Sequence, residues 1–131
     1  MTPHPATIAP NASVREAAQL MMENDVGPLP VVEGGKLVGI VTDRDLVVRV
    51  LADGRDPDST QVKEACSRDP LTVSPEDSLE RTLQLLAENQ VRRVPVVDDE
   101  RVVGIVAQAD IARELESSRV GEVVEELSRD G

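Results

Sequence analysis

Residues 26–46 read VGPLPVVEGGKLVGIVTDRDL, and residues 91–111 read VRRVPVVDDERVVGIVAQADI. The second stretch repeats the first 65 positions on: Val26 meets Val91 and Asp45 meets Asp110. Carried back to Thr7 and Thr72, the match runs over 40 positions without a gap, and 16 pairs are identical. Pro30-Val31-Val32 falls on Pro95-Val96-Val97, and Val38-Gly39-Ile40-Val41 falls on Val103-Gly104-Ile105-Val106. Two copies this alike are expected to fold alike. A unit of about 50 residues buries too little surface to be stable alone, so the copies are expected to pack on each other about a pseudo-twofold axis.

Each copy reads as strand, helix, strand, strand, helix. In the first, Ala6-Thr7-Ile8 is a short strand ending at Pro10. Ser13 and Glu16 have the spacing of a capping box, and Val14, Ala17, Ala18 and Met21 form a helical apolar stripe, with Met22 read as part of it. Leu79, Leu83 and Leu86 are the second copy's stripe, but Arg81 replaces the glutamate of the box. Asn24 and Asn89 are helix stops. Leu29–Val32 and Leu37–Val41, parted by Glu33-Gly34-Gly35-Lys36, make a hairpin, and Asp98-Asp99-Glu100-Arg101 is its second-copy turn. Second helices start near Asp43 and Gln108. The division expected is 1–53 for repeat one, 54–66 for a linker and lead-in helix, 67–118 for repeat two, and 119–131 for a tail. Val120, Val123, Val124 and Leu127 give that tail a short helix.

Composition removes several function classes. Fourteen basic residues face 25 acidic ones, a net charge of −11, which repels phosphate backbones and argues against nucleic acid. There is no Phe, Tyr or Trp, so bases cannot stack on aromatic rings. The core must be aliphatic, and 21 valines favour strands. No stretch is long and apolar enough to cross a membrane, and the first residues are no secretory signal, so the cytoplasm is expected. Cys66 is the single cysteine; it offers no internal disulfide or metal cluster and is read as a buried, inert thiol.

Gly39-Ile40-Val41-Thr42-Asp43-Arg44-Asp45 is where chemistry could sit. A strand ends at Thr42 and a helix begins beside it, so free N–H groups can receive a phosphate. Asp45 lies one turn in, where a carboxylate can accept both hydroxyls of a ribose. The alternative is purely structural: Thr42 or Asp43 caps the helix and Asp45 complements its dipole. Asp43-x-Asp45 superficially resembles a phosphatase nucleophile motif, but the second copy has Gln108 at the first position. His4, the only histidine, has no Ser or Cys to activate. No catalytic residue is assigned, and no enzyme is expected.

The Gly39-x-x-Thr42-x-x-Asp45 segment, the paired hairpins and the 65-residue offset resemble a CBS-domain pair, or Bateman module, of the stand-alone actinobacterial type. The resemblance runs from Met1 to about Leu115. It implies an α+β fold of tandem repeats and a sensor of adenosyl ligands: AMP, ADP, ATP or S-adenosylmethionine, none an obligatory cofactor. In that family each cleft lies between the copies. Carried over, the first cleft has Thr42 and Asp45 on one wall. Leu71, Thr72, Val73 and the run Val91, Arg92, Arg93, Val94, Pro95 form the other, with the arginines at the phosphates. The second cleft has Ala107 in place of the hydroxyl, with Asp110 kept, facing Thr7, Ile8, Gly27, Pro28, Leu29 and Pro30. With no basic residue in that loop, it is expected to be the weaker site, empty or holding adenosine.

The resemblance also implies a flat homodimer joined through aliphatic helix faces, and regulation of an unidentified protein target. The competing reading is a ligand-free dimerisation or interaction module that kept only the fold.

Overall fold

The computed structural model describes residues 2–117. The tail helix read over Val120–Leu127 lies outside the described residues. The element order is β1 (Thr2–Pro3), α1 (Val14–Asn24), β2 (Leu29–Glu33), β3 (Lys36–Val41) and α2 (Asp43–Asp45), which runs straight into π-helical turns over Leu46–Leu51. Then come α3 (Val62–Ala65), β4 (Ser67–Arg68), α4 (Leu79–Glu88), β5 (Arg93–Asp98) and β6 (Arg101–Ala107). A last helix, α5, covers residues 108–117.

Two three-stranded sheets carry the repeats, in the orders β2-β3-β4 and β1-β6-β5. The edge strands obey the 65-residue offset. Ser67 and Arg68 pair with Ile40 and Gly39, while Thr2 and Pro3 pair with Ile105 and Gly104. The segment that opens each copy therefore completes the other copy's sheet, and the two halves are stitched together by backbone bonds. The piece read as a strand at Ala6-Thr7-Ile8 is only a single parallel bridge, Ile8 to Val31, and Val73 to Val96 repeats it. Pro5 and Pro10 flank it and cannot donate to a ladder, which keeps it short.

The helix ends follow side-chain chemistry. Ser13 Oγ accepts from Glu16 N, and Ser78 Oγ from Arg81 N, each at 3.1 Å. The expected reciprocal box at Ser13 is half formed, since Glu16 does not return a bond. The asparagine stops act through their side chains: Asn24 Nδ2 donates to Leu20 O at 2.9 Å and Asn89 Nδ2 to Leu85 O at 2.8 Å. The left-handed residue follows each, Asp25 at φ 51° and Gln90 at φ 56°.

Val14, Ala17 and Met21 are the buried face of α1. Ala18 and Met22 face outward, so the expected stripe took in two residues too many; Met22 is 75 % exposed. The first core joins Ile8, Ala17, Met21, Leu29, Val31, Val41 and Val62, and the second joins Val73, Leu86, Val94, Val96 and Ile111. The hairpin turns differ in cost. Gly34 and Gly35 take φ 59° and 82°, whereas Asp99 and Glu100 force side chains into the same left-handed region at 51° and 66°. The two turns meet: Leu37 N donates to Glu100 O at 3.0 Å, and Lys36 Nζ lies 2.9 Å from Glu100 Oε2.

Candidate functional site

A cavity of about 820 Å³ sits on the pseudo-twofold axis. Its walls come in repeat-related pairs: Gly27 with Arg92, Pro28 with Arg93, Thr42 with Ala107, and Asp43 with Gln108. Ile40, Val91, Ala109 and Ala112 complete the lining. The N-termini of α2 and α5 and both pre-hairpin loops thus converge there. One N–H is already committed, since Gln108 N donates to Arg92 O at 2.7 Å. Arg92 and Arg93 are exposed and join no ion pair among the described residues. Asp43 is the one acidic side chain in the lining, so the cavity carries a net positive charge in a strongly acidic chain.

Three of its residues, Pro28, Arg93 and Ala107, also line a side cavity of about 340 Å³. Its other walls are His4, Pro5 and Ala6 from the first segment, Asn24, Asp25 and Val26 from the end of α1, and Ile105 and Asp110 from the second copy. The cross-copy pairing of β1 with β6 brings the first segment here. His4 has φ 48°, and its repeat counterpart Asp69 has φ 51°, so both crossing segments turn through the same left-handed corner.

The two aspartates of the repeated motif have different lives. Thr42 Oγ1 accepts from Asp45 N at 3.1 Å, and Asp45 Oδ2 accepts from Thr42 N at 2.9 Å. This reciprocal box holds the Asp45 carboxylate against its own helix, with the side chain 14 % exposed and Arg49 Nε 3.8 Å away. Ala107 cannot build such a box. Asp110 is paired only with Arg113 among the described residues, is 39 % exposed, and lines the side cavity.

Of the residues expected in the first cleft, Thr42, Val91, Arg92 and Arg93 meet in the axial cavity. Leu71 packs on the second core, Val73, Val94 and Pro95 are buried, and Thr72 is exposed; none of these lines either cavity. Of the second cleft, Pro28, Ala107 and Asp110 line the side cavity, and Gly27 lines the axial one. Ile8, Leu29 and Pro30 are buried elsewhere, and Thr7 points to solvent. The loop over residues 26–30 holds no basic residue, yet the cavity that Asp110 lines has one from its own copy. Arg93 stands opposite Ala107 in the β5–β6 ladder and therefore borders Asp110's cavity. His4, Pro5, Ala6, Asn24 and Asp25 were missed. The signal that finds them is the offset itself, which makes Thr2-Pro3 the counterpart of Ser67-Arg68.

Cys66 is half-buried rather than buried, and burial pushes its thiol above the ordinary value. Among the described residues, no group of three or more His, Cys, Asp or Glu could hold a metal ion. Nor is any described helix long and apolar enough to cross a membrane.

The CBS domain family model matches residues 1–52 and again 62–117. The CBS domain-containing protein YhcV of Bacillus subtilis is 47 % identical over 112 residues, covering 86 % of this chain and 79 % of that protein. Hypoxic response protein 1 of Mycobacterium tuberculosis is 37 % identical over 121 residues, covering 92 % of this chain and 85 % of that one. Among solved structures, CBSX2 in complex with AMP superposes with a TM-score of 0.78 at 30 % identity, covering 91 % of this chain and 94 % of that one. With both repeats matched and the strands crossing between them, the chain belongs to the CBS-domain family, as a tandem pair.

Proposed function

We propose that this CBS pair is a regulatory module that binds an adenine nucleotide of the AMP type. The nucleoside enters the side cavity, where Asp110 accepts from the ribose hydroxyls. The phosphate lies in the axial cavity, held by Arg93 and Arg92, with the Thr42 hydroxyl as a further donor. The observation that carries this reading is Arg93 lining both cavities beside Asp110. The AMP bound by the CBSX2 relative supports it. With no Phe, Tyr or Trp in the chain, the adenine is gripped by Pro5, Ala6, Val26, Pro28 and Ile105.

The same charges rank the ligands. The axial cavity has room for the longer chains of ADP and ATP. S-adenosylmethionine would bring its sulfonium toward two arginines, so it falls below them. A ligand touching His4–Ala6 of one copy and Asp110 of the other bridges the halves. It shifts their arrangement only by the difference in its affinity for the two states. No catalytic role is assigned, and the proposed setting is the cytoplasm.

A second copy is the proposed partner of the apolar helix surfaces. Met22, Val47, Val48 and Leu51 are 52–75 % exposed and offer it aliphatic surface. Light scattering is expected to show a dimer, and Leu51→Asp to weaken it. A monomer at all concentrations would remove this part.

Thermal unfolding followed by circular dichroism tests the ligand. At about 100 times Kd a nucleotide adds about 2.7 kcal/mol, a shift of several degrees. The expected order is AMP above adenosine, with S-adenosylmethionine last. No shift with any adenosyl compound would leave the ligand-free dimerisation module as the function.

A further inference from the structure

A third cavity, of about 600 Å³, shares no residue with the axial and side cavities. It opens in the first copy between residues 9–11, the β2–β3 hairpin and the α3–β4 segment. Two backbone anchors set its walls. Lys63 N donates to Pro10 O at 2.9 Å, which holds α3 to the opening segment. Arg68 pairs with Gly39, where an added Cβ would lie 2.7 Å from Ser67 O, so glycine is what lets β4 lie this close to β3. Lys63 and Arg68 are thereby brought to one cavity, and the half-buried Cys66 lines it with them.

The lining sorts by chemistry. Val31, Val32 and Val38 give it an aliphatic side. Lys63 and Arg68 join no ion pair among the described residues, whereas Arg15, Lys36, Arg49, Arg55 and Arg113 are each held by a carboxylate. Glu33 is the one acid in the lining, so this cavity too is net positive in a chain of net charge −11. The repeat shows that the charge is particular to the first copy. The second copy keeps the valines, as Val96, Val97 and Val103, and has Asp98 in the place of Glu33. It adds two acids, with Glu76 in the place of Asn11 and Asp99 in the place of Gly34. One carboxylate at these positions in the first copy thus faces three in the second.

We propose that this cavity is a binding site for a small organic anion, separate from the nucleotide cavities. The charged end, a carboxylate or a phosphate, lies against Lys63 and Arg68, with the Asn11 amide as a neutral donor. The aliphatic body lies on Val31, Val32 and Val38. The volume falls in the range of small-molecule sites, about 300–1,000 Å³.

Cys66, the single thiol, is the reporter. Iodoacetate is an anion and iodoacetamide its neutral analogue, so the ratio of their alkylation rates at one pH cancels the thiolate fraction. The ratio is expected to be several-fold higher in the native chain than in urea, and to fall with added salt. The overall negative charge alone acts in the opposite direction, so a ratio at or below the urea value would overturn the site. The double variant Lys63→Gln, Arg68→Gln should bring the ratio down to the urea value, while Arg93→Ala should leave it raised. A raised ratio that survives the double variant, or is lost with Arg93, would overturn the assignment. Hexanoate and hexyl phosphate supply the two charged ends without a reactive group. At least one should protect Cys66 from iodoacetamide saturably where hexanol does not, and the stronger protector identifies the charged end. Protection by neither anion would contradict the site.

Discussion

Arg93 is the cross-strand partner of Ala107, and this one register places a guanidinium at the junction of the two cavities. In the proposed complex the arginine reaches a phosphate in the axial cavity while Asp110, on the wall of the side cavity, faces the nucleoside. The alanine across from it matters as much. Without a hydroxyl there, Asp110 is not drawn into a capping box and keeps an oxygen for a ligand.

The two motif aspartates are therefore expected to separate on mutation. Asp110→Asn should weaken AMP binding about tenfold or more, since a hydrogen bond to a charged group contributes about 1.5–3 kcal/mol. Its effect on the unfolding midpoint should be small. Asp45→Asn should do the reverse, losing about 1 kcal/mol of stability with its helix cap. Titration calorimetry and chemical denaturation of both variants read the contrast, and equal effects would contradict it.

The hairpin glycines predict a graded pair. Nothing lies within 4 Å of a Cβ built on Gly34, so Gly34→Ala isolates the strain of φ 59°. Its expected cost is about 1 kcal/mol. A Cβ on Gly35 would lie 2.5 Å from Arg101 Nη1. Gly35→Ala should cost more, because the Arg101 side chain must also move. Urea unfolding followed by circular dichroism gives both values.

Leu29 is fully buried in the first core, so Leu29→Ala should destabilise by about 2–5 kcal/mol. The crossed strands make the two cores one folding unit. The loss should therefore appear as a single shifted transition rather than a second one, when urea unfolding is followed by circular dichroism.

Burial raises the Cys66 thiol, so folding favours its neutral form. Its contribution to stability is full below the unfolded thiol value, about 8.5, and is lost as pH rises toward the folded value. Alkylation by iodoacetamide at pH 8 should be slower in the folded chain than in urea. Cys66→Ser should flatten the fall in stability above that pH.

The repeat was legible because 16 identities at one offset leave no other alignment, and the hairpins followed from apolar runs around turn residues. Arg92 and Arg93 were legible as a basic pair, which the resemblance sets at the phosphates. Which cavity they border was not, because that depends on the β5–β6 register and on β1 crossing to β6. Thr2-Pro3 has no strand signal of its own, so His4 to Ala6 could not be placed from local sequence. Thr42-x-x-Asp45 supported both a helix cap and a ligand contact. The fold realises the cap, and that draws the Asp45 carboxylate away from the axial cavity while leaving Thr42 on its wall.

The central claim is that one arginine anchors a nucleotide phosphate between the copies. Calorimetric titration of AMP into the native chain and into Arg93→Ala measures it directly. Saturable binding by the native chain, weakened tenfold or more in the variant with adenosine binding little changed, is the predicted result. AMP binding that is indifferent to Arg93, or absent from the native chain, would contradict it.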